Sequence, residues 1–156
     1  MRKGKYYPLF TNSANVGGPL QVFRRQCYEG IGGYLPYGHE DTIAATMAQM
    51  HGWETRSFPD LIVEHHKSES STGWRCGRAK FKLGAYDYIH GDTIIWEALR
   101  CIKEATESPY MLGSCLRFAA YLNAAVTVKK PLSDDFYRFV RAKQYRKLAR
   151  AVFGRF

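Results

Sequence analysis

Residues 30–66 read GIGGYLPYGHEDTIAATMAQMHGWETRSFPDLIVEHH, and this stretch carries most of the chemistry in the chain. Gly30, Gly32 and Gly33 mark a tight turn, since glycine enters the left-handed backbone region without a steric penalty. Ile43, Met47 and Met50 then recur at helical spacing, which predicts a helix from His39 or Glu40 to about His51, stopped by Gly52. Glu40 and Asp41 fall in its first turn, where unpaired backbone N–H groups favour negative charge. Pro59 breaks the pattern, and Leu61-Ile-Val-Glu-His65 is predicted as a strand. Side chains alternate faces along a strand, so at most one of His65 and His66 addresses any single site.

Outward from this stretch the chain changes character. Upstream, Leu20-Gln-Val-Phe23 reads as a short buried strand, followed by a helix or turn over Arg25–Glu29. Downstream, the polar run Lys67-Ser-Glu-Ser-Ser-Thr-Gly73 separates a mixed α/β part, residues 1–67, from a helical part, residues 68–156. In the second part, Trp74 to Tyr88 and Thr93 to about Thr106 show amphipathic helical periods. Pro109 to Val128 is the most apolar window, but Arg117 and Asn123 interrupt it and Gly113 weakens it. Measured against the ~20 apolar residues of a membrane span, it reads as an interfacial or re-entrant helix. Ser133 is a predicted N-cap with Asp134 and Asp135 behind it. The helix it starts carries Arg138, Arg141, Lys143, Arg146, Lys147 and Arg150, with Phe136, Val140, Leu148 and Val152 on one side.

With 156 residues, 46% hydrophobic and 24% charged, the chain has the content of one globular domain, which excludes a disordered tail and a two-domain enzyme. Its four cysteines lie far apart with no Cys-x-x-Cys pair and no basic-then-apolar leader opens the chain. Neither a disulfide framework nor a zinc ribbon is expected, and a reducing compartment fits. Charge is distributed unevenly: Lys/Arg and Asp/Glu balance over residues 1–66, so the whole net charge of +9 sits in residues 67–156. Such an excess points to nucleic acid, anionic lipid or an acidic ligand. Without helix-turn-helix glycine spacing, an RNP-like aromatic strand or a zinc finger, nucleic acid is disfavoured. Basic residues on an amphipathic helix each contribute roughly 1 kcal/mol near an anionic leaflet, which favours a membrane surface.

The order of Phe23-Arg24-Arg25, an Ile31-Gly-Gly-Tyr34 turn, Glu40-Asp41 opening a helix, a helix-ending Gly52, Pro59-Asp60 before a strand and His65-His66 resembles the C-terminal half of the catalytic domain of family 2 glycosyltransferases. The likeness extends through Lys67, Arg78-Ala-Lys-Phe81, Asp87-Tyr88, Pro109-Tyr-Met-Leu-Gly113 and Ser133-Asp-Asp-Phe136 to the basic helical tail of membrane-associated members that build exopolysaccharides, about residues 14 to 150 in all. It implies an α/β fold, the C-terminal part of a nucleotide-sugar transferase mixed-sheet sandwich followed by a basic helical tail. It also implies a cytoplasmic protein, peripheral on the inner face of the cell membrane. The implied activity is transfer of a sugar from a nucleotide-sugar donor to a lipid-linked or glycan acceptor.

Inverting glycosyl transfer needs a base for the acceptor hydroxyl and positive charge for the departing diphosphate. The resemblance assigns the base to Asp41 and makes Glu40 its neighbour, although an acidic pair of this kind taken alone also serves simply to favour a helix N-terminus. It further implies the turn with Gly32, Gly33 and Tyr34 as a wall of the acceptor and donor site; by their own chemistry Arg24 and Arg25 can pair with acidic groups or phosphates, and Tyr34, Tyr37 and Trp53 can stack on a sugar ring. For Trp53 core packing is the alternative, and for Arg24 or Arg25 a plain surface role. His65, with His66 in reserve, would complete a divalent metal site holding Mg or Mn, or would remain a solvated imidazole. The chain contains no Asp-x-Asp, the motif that holds metal and diphosphate in the nucleotide-binding half of these enzymes, and no Gln-x-x-Arg-Trp. The expectation is therefore single-sugar transfer by an acceptor-side fragment, inactive alone and completed by a missing N-terminal half in cis or in trans. A second expectation is a non-catalytic basic module that binds an anionic membrane surface or nucleic acid.

Overall fold

The computed structural model describes residues 20–58, 74–106 and 110–154. Within them every regular element is a helix: α1 Arg25–Gly30, α2 Glu40–Met50, α3 Trp74–His90, α4 Ile94–Glu104, α5 Tyr110–Thr127 and α6 Asp134–Phe153. The expected α/β mixed-sheet sandwich is thereby corrected. Residues Leu20–Phe23 are not a strand. They have alternating character, with Leu20 and Val22 exposed and Gln21 and Phe23 half-buried, but a strand needs a ladder partner for its N–H and C=O groups, and none lies beside them among the described residues. Their hold is through side chains instead. The second predicted strand, Leu61–His65, lies outside the described residues.

Two compact units divide the described residues. The first holds 20–35 and 40–58, the second 36–39, 74–106 and 110–154. In the first, Cys27 and Ile31 from α1 and its turn pack on Ala44 and Ala48 of α2, with Phe23, Met47 and Trp53 against this cluster. Ala44 and Ala48 are one helical turn apart, so they lie on the same face of α2.

The second unit is a helical bundle. α4 and α6 start at the side-chain caps Thr93 and Ser133, whose hydroxyls accept from Trp96 N–H and Phe136 N–H. α5 presents small residues inward, Gly113, Ser114, Ala120 and Ala124 all being buried. α3 answers with Gly84, where a Cβ would run into the backbone carbonyl of Arg117. The two helices approach closely because neither interposes a side chain at that point. α6 contributes Phe136, Tyr137 and Val140 to the core. Leu148 is half-buried and Val152 exposed, so only the first half of the apolar side predicted for this helix is used in packing. No helix among the described residues is long and apolar enough to cross a membrane.

Candidate functional site

In the first unit, the sequence-predicted residues gather around the turn between α1 and α2. Ile31 N–H and Gly32 N–H close α1 by donating to the carbonyls of Cys27 and Glu29, and Gly33 N–H donates to Tyr28 at 2.9 Å. Gly32 and Gly33 reach φ of 76° and 74°, a region costly for any residue with a side chain, which is why two glycines stand here. The turn sets Tyr34 against Phe23 and Tyr28, with ring centroids 5.9 and 5.6 Å away in edge-to-face arrangement. Tyr34 Oη donates to Gln21 Oε1 at 2.9 Å, and Gln21 Nε2 donates to the Asp41 carbonyl at 3.2 Å.

Asp41 itself is half-buried and Glu40 exposed at the start of α2. Its Oδ1 accepts from Thr42 N–H at 2.8 Å, an orphan donor of the helix N-terminus. No hydrogen bond from the described residues reaches Oδ2. Burial, then the neighbouring Tyr28 and Asp41, push the Tyr34 phenol above its ordinary value. A carboxylate with one oxygen fixed and one open, beside a phenol and an aromatic wall, can accept a proton from a hydroxyl held there.

The remaining predicted residues are placed differently. Trp53 is half-buried and packs against the hydrophobic cluster. Arg24 occupies the N-cap position of α1, exposed and without a side-chain capping bond. His65 and His66 lie outside the described residues.

The second unit contains a charged cluster that sequence reasoning passed over. Arg117, buried in α5, donates through Nη2 to Asp87 of α3 at 2.7 Å, through Nε to Glu97 of α4 at 3.0 Å and through Nη1 to Glu104 at 2.9 Å. Arg100 reaches Asp87, Asp92 and Glu97 at 2.8, 2.7 and 3.1 Å. Lys80 closes on Glu104 at 2.6 Å and His90 on Asp92 at 2.7 Å, with His39 3.5 Å from Asp87. Gln144 of α6 ties the cluster to its helix by donating to Asp92 and accepting from Thr93.

Burial alone would raise every carboxyl in this cluster. For Asp87 it is outweighed by His39, Arg100 and Arg117, and for Asp92 by His90 and Arg100, so both are held below the ordinary range. Glu104 is lowered in the same way by Lys80 and Arg117. Glu97, fully buried and facing the charges of Asp87 and Asp92, is raised despite the two arginines. Desolvation, together with Glu97, pushes the Cys101 thiol up to about 11.

Asp87, Asp92 and Glu97 place carboxylate oxygens within 4.8 Å of one another, close enough to suggest a cation site. Their oxygens are already committed. Both oxygens of each group meet Arg100, Arg117, His90 or Gln144, so a divalent ion could enter only by displacing a buried guanidinium. The cluster does not fit a metal; it is an ion-pair network tying α3, α4 and α5 together. The signal for it in the sequence is Arg117 within the most apolar window, a charge that must find buried partners. No family profile, curated protein or solved structure matches the chain.

Proposed function

We infer that this chain is the acceptor-side, base-carrying part of a glycosyltransferase. The enzyme it belongs to transfers one sugar from a nucleotide-sugar to a lipid-linked or glycan acceptor. The observation that carries the inference is the environment of Asp41. Thr42 N–H at the helix N-terminus holds its Oδ1, and Gln21 bridges its backbone carbonyl to Tyr34, which follows the double-glycine turn. In this role Asp41 takes the acceptor hydroxyl proton as the hydroxyl oxygen bonds to the anomeric carbon and the anomeric C–O bond to the nucleoside diphosphate breaks, the diphosphate leaving with that electron pair into the nucleotide-binding half; Glu40 adjoins Asp41 at the helix start. Tyr34 and Tyr28 form an apolar wall for a sugar ring. The nucleotide-binding half and any Mg or Mn it uses come from elsewhere in the same protein or from a second chain. The protein works at the anionic surface of the cytoplasmic leaflet. The basic excess of residues 67–156 supports that location, as does an open cleft beside α6 lined by Lys130, Arg138 and Arg141 with Asp134 and Tyr137.

The test replaces Asp41 by Asn in the native gene and measures sugar transfer in membranes of the source cells. Loss of a general base lowers turnover by ~10²–10⁴-fold with nucleotide-sugar binding nearly unchanged. Turnover within about threefold of wild type removes Asp41 from the mechanism. A non-catalytic basic module is the second reading, favoured by the same charge excess, and predicts no effect of this substitution on any property of the cell.

A further inference from the structure

Helix α4 is built inside out. Glu97, Arg100, Cys101 and Glu104 turn toward the bundle, where the two glutamates meet Arg117. Its aliphatic residues turn away: Ile94, Ile95, Leu99 and Ile102 are 51, 53, 46 and 70% exposed. Residues 94, 95, 98, 99 and 102 share one side of an α-helix, so with Ala98 the four form a continuous strip. Rotating the helix to bury them would strip the buried Arg117 of two of its three carboxylate partners, a larger cost than leaving four aliphatics exposed. The ion cluster therefore holds the apolar side outward.

The strip carries no carboxylate, because both glutamates of the helix lie on the opposite side. Its border on the Trp96 side is basic. Lys103 is exposed next to Ile102. Gln144 fixes α6 to the N-cap of α4, and one turn further along α6 the Lys147 ammonium lies 5.9 Å from the Trp96 ring centroid. Apolar side chains edged by lysines, in a unit holding the whole +9 excess of the chain, complement a surface that is apolar beneath and anionic on top. A second copy of the chain is a poorer occupant. It would bring the same lysines and net charge against themselves, and four partly exposed aliphatics fall short of the ~800 Å² per partner of a stable interface.

We propose that the outward strip of α4 is the membrane-inserting face of the protein, seating Ile94, Ile95, Leu99 and Ile102 at the headgroup–acyl boundary of an anionic bilayer while Lys103 and Lys147 meet its headgroups. The proposal rests on the membrane-surface element of the proposed function and is independent of glycosyl transfer. The test is flotation of the full chain with vesicles of phosphatidylcholine alone or of phosphatidylcholine and phosphatidylglycerol in equal parts. Wild type floats with the mixed vesicles only. Ile95→Gln/Ile102→Gln and Lys103→Glu/Lys147→Glu each lower the bound fraction by about tenfold or more, with unchanged circular dichroism. Val126→Gln, at an exposed position of α5, leaves it unaltered. Flotation of the Ile95→Gln/Ile102→Gln variant equal to wild type overturns the proposal. So does a lipid-free dimer, seen by sedimentation, that this variant abolishes. Asp41→Asn floats as wild type whatever its transfer activity, so a failure of one proposal is distinguishable from a failure of the other.

Discussion

Replacing Arg117 by Met keeps a stem of similar length and removes the charge around which α3, α4 and α5 close. Arg117 is 5% exposed and serves Asp87, Glu97 and Glu104 at 2.7, 3.0 and 2.9 Å. Asp87 and Glu97 retain Arg100, and Glu104 retains Lys80, so the substitution leaves a net buried negative charge without emptying the cluster. Removing one partner of a buried ion pair costs ~3–5 kcal/mol, a large share of the ~5–15 kcal/mol that stabilises a domain. Urea unfolding followed by far-UV circular dichroism should therefore show a deficit of about 3–5 kcal/mol at pH 7.

The pH dependence has a definite sign. In the wild type, Asp87, Asp92 and Glu104 have lowered folded values, so their stabilisation is present above the unfolded carboxyl values and is lost as pH falls through the folded ones. Glu97 is raised, so its contribution is present below its unfolded value and is lost as pH rises. Without Arg117, Asp87, Glu97 and Glu104 all move upward. Proton uptake then relieves the variant first, and its deficit narrows as pH is lowered from 7 toward about 5. A deficit under about 1 kcal/mol at pH 7, or one that widens on acidification, would refute the assignment of Arg117 as the central counter-charge.

Gly84→Ala drives a Cβ into the Arg117 carbonyl and should cost ~1–3 kcal/mol or more, whereas Gly77→Ala, whose Cβ would meet only a Leu116 methyl at 3.5 Å, should gain ~0.5–1 kcal/mol from the lost chain entropy; thermal melts of the two single variants make the comparison. Ser133→Ala removes the hydroxyl that accepts from Phe136 N–H and should cost about 1 kcal/mol in the same assay, with Ser133→Asp retaining most of the stability. Among the described thiols, exposed Cys115 should be alkylated first at mildly alkaline pH. Buried Cys101, raised to about 11, and buried Cys27, raised by desolvation, should react only on unfolding, as followed by intact mass.

What the sequence determines by itself is local. The start of α2 at Glu40, the Thr93 and Ser133 caps and the double-glycine turn each depend on a few consecutive residues, because caps and turns satisfy backbone groups within one helical turn. Only the tertiary structure decides what depends on distant partners. Leu20–Phe23 alternates like a strand, yet alternation cannot supply a neighbouring ladder, and the segment is held by Gln21 and Phe23 instead. The helical period of residues 93–106 marks two sides of α4 without saying which is buried. That choice is made by Arg117, 20 residues from Glu97 and 30 from Asp87, since a buried guanidinium demands its carboxylates more strongly than four aliphatics demand shelter.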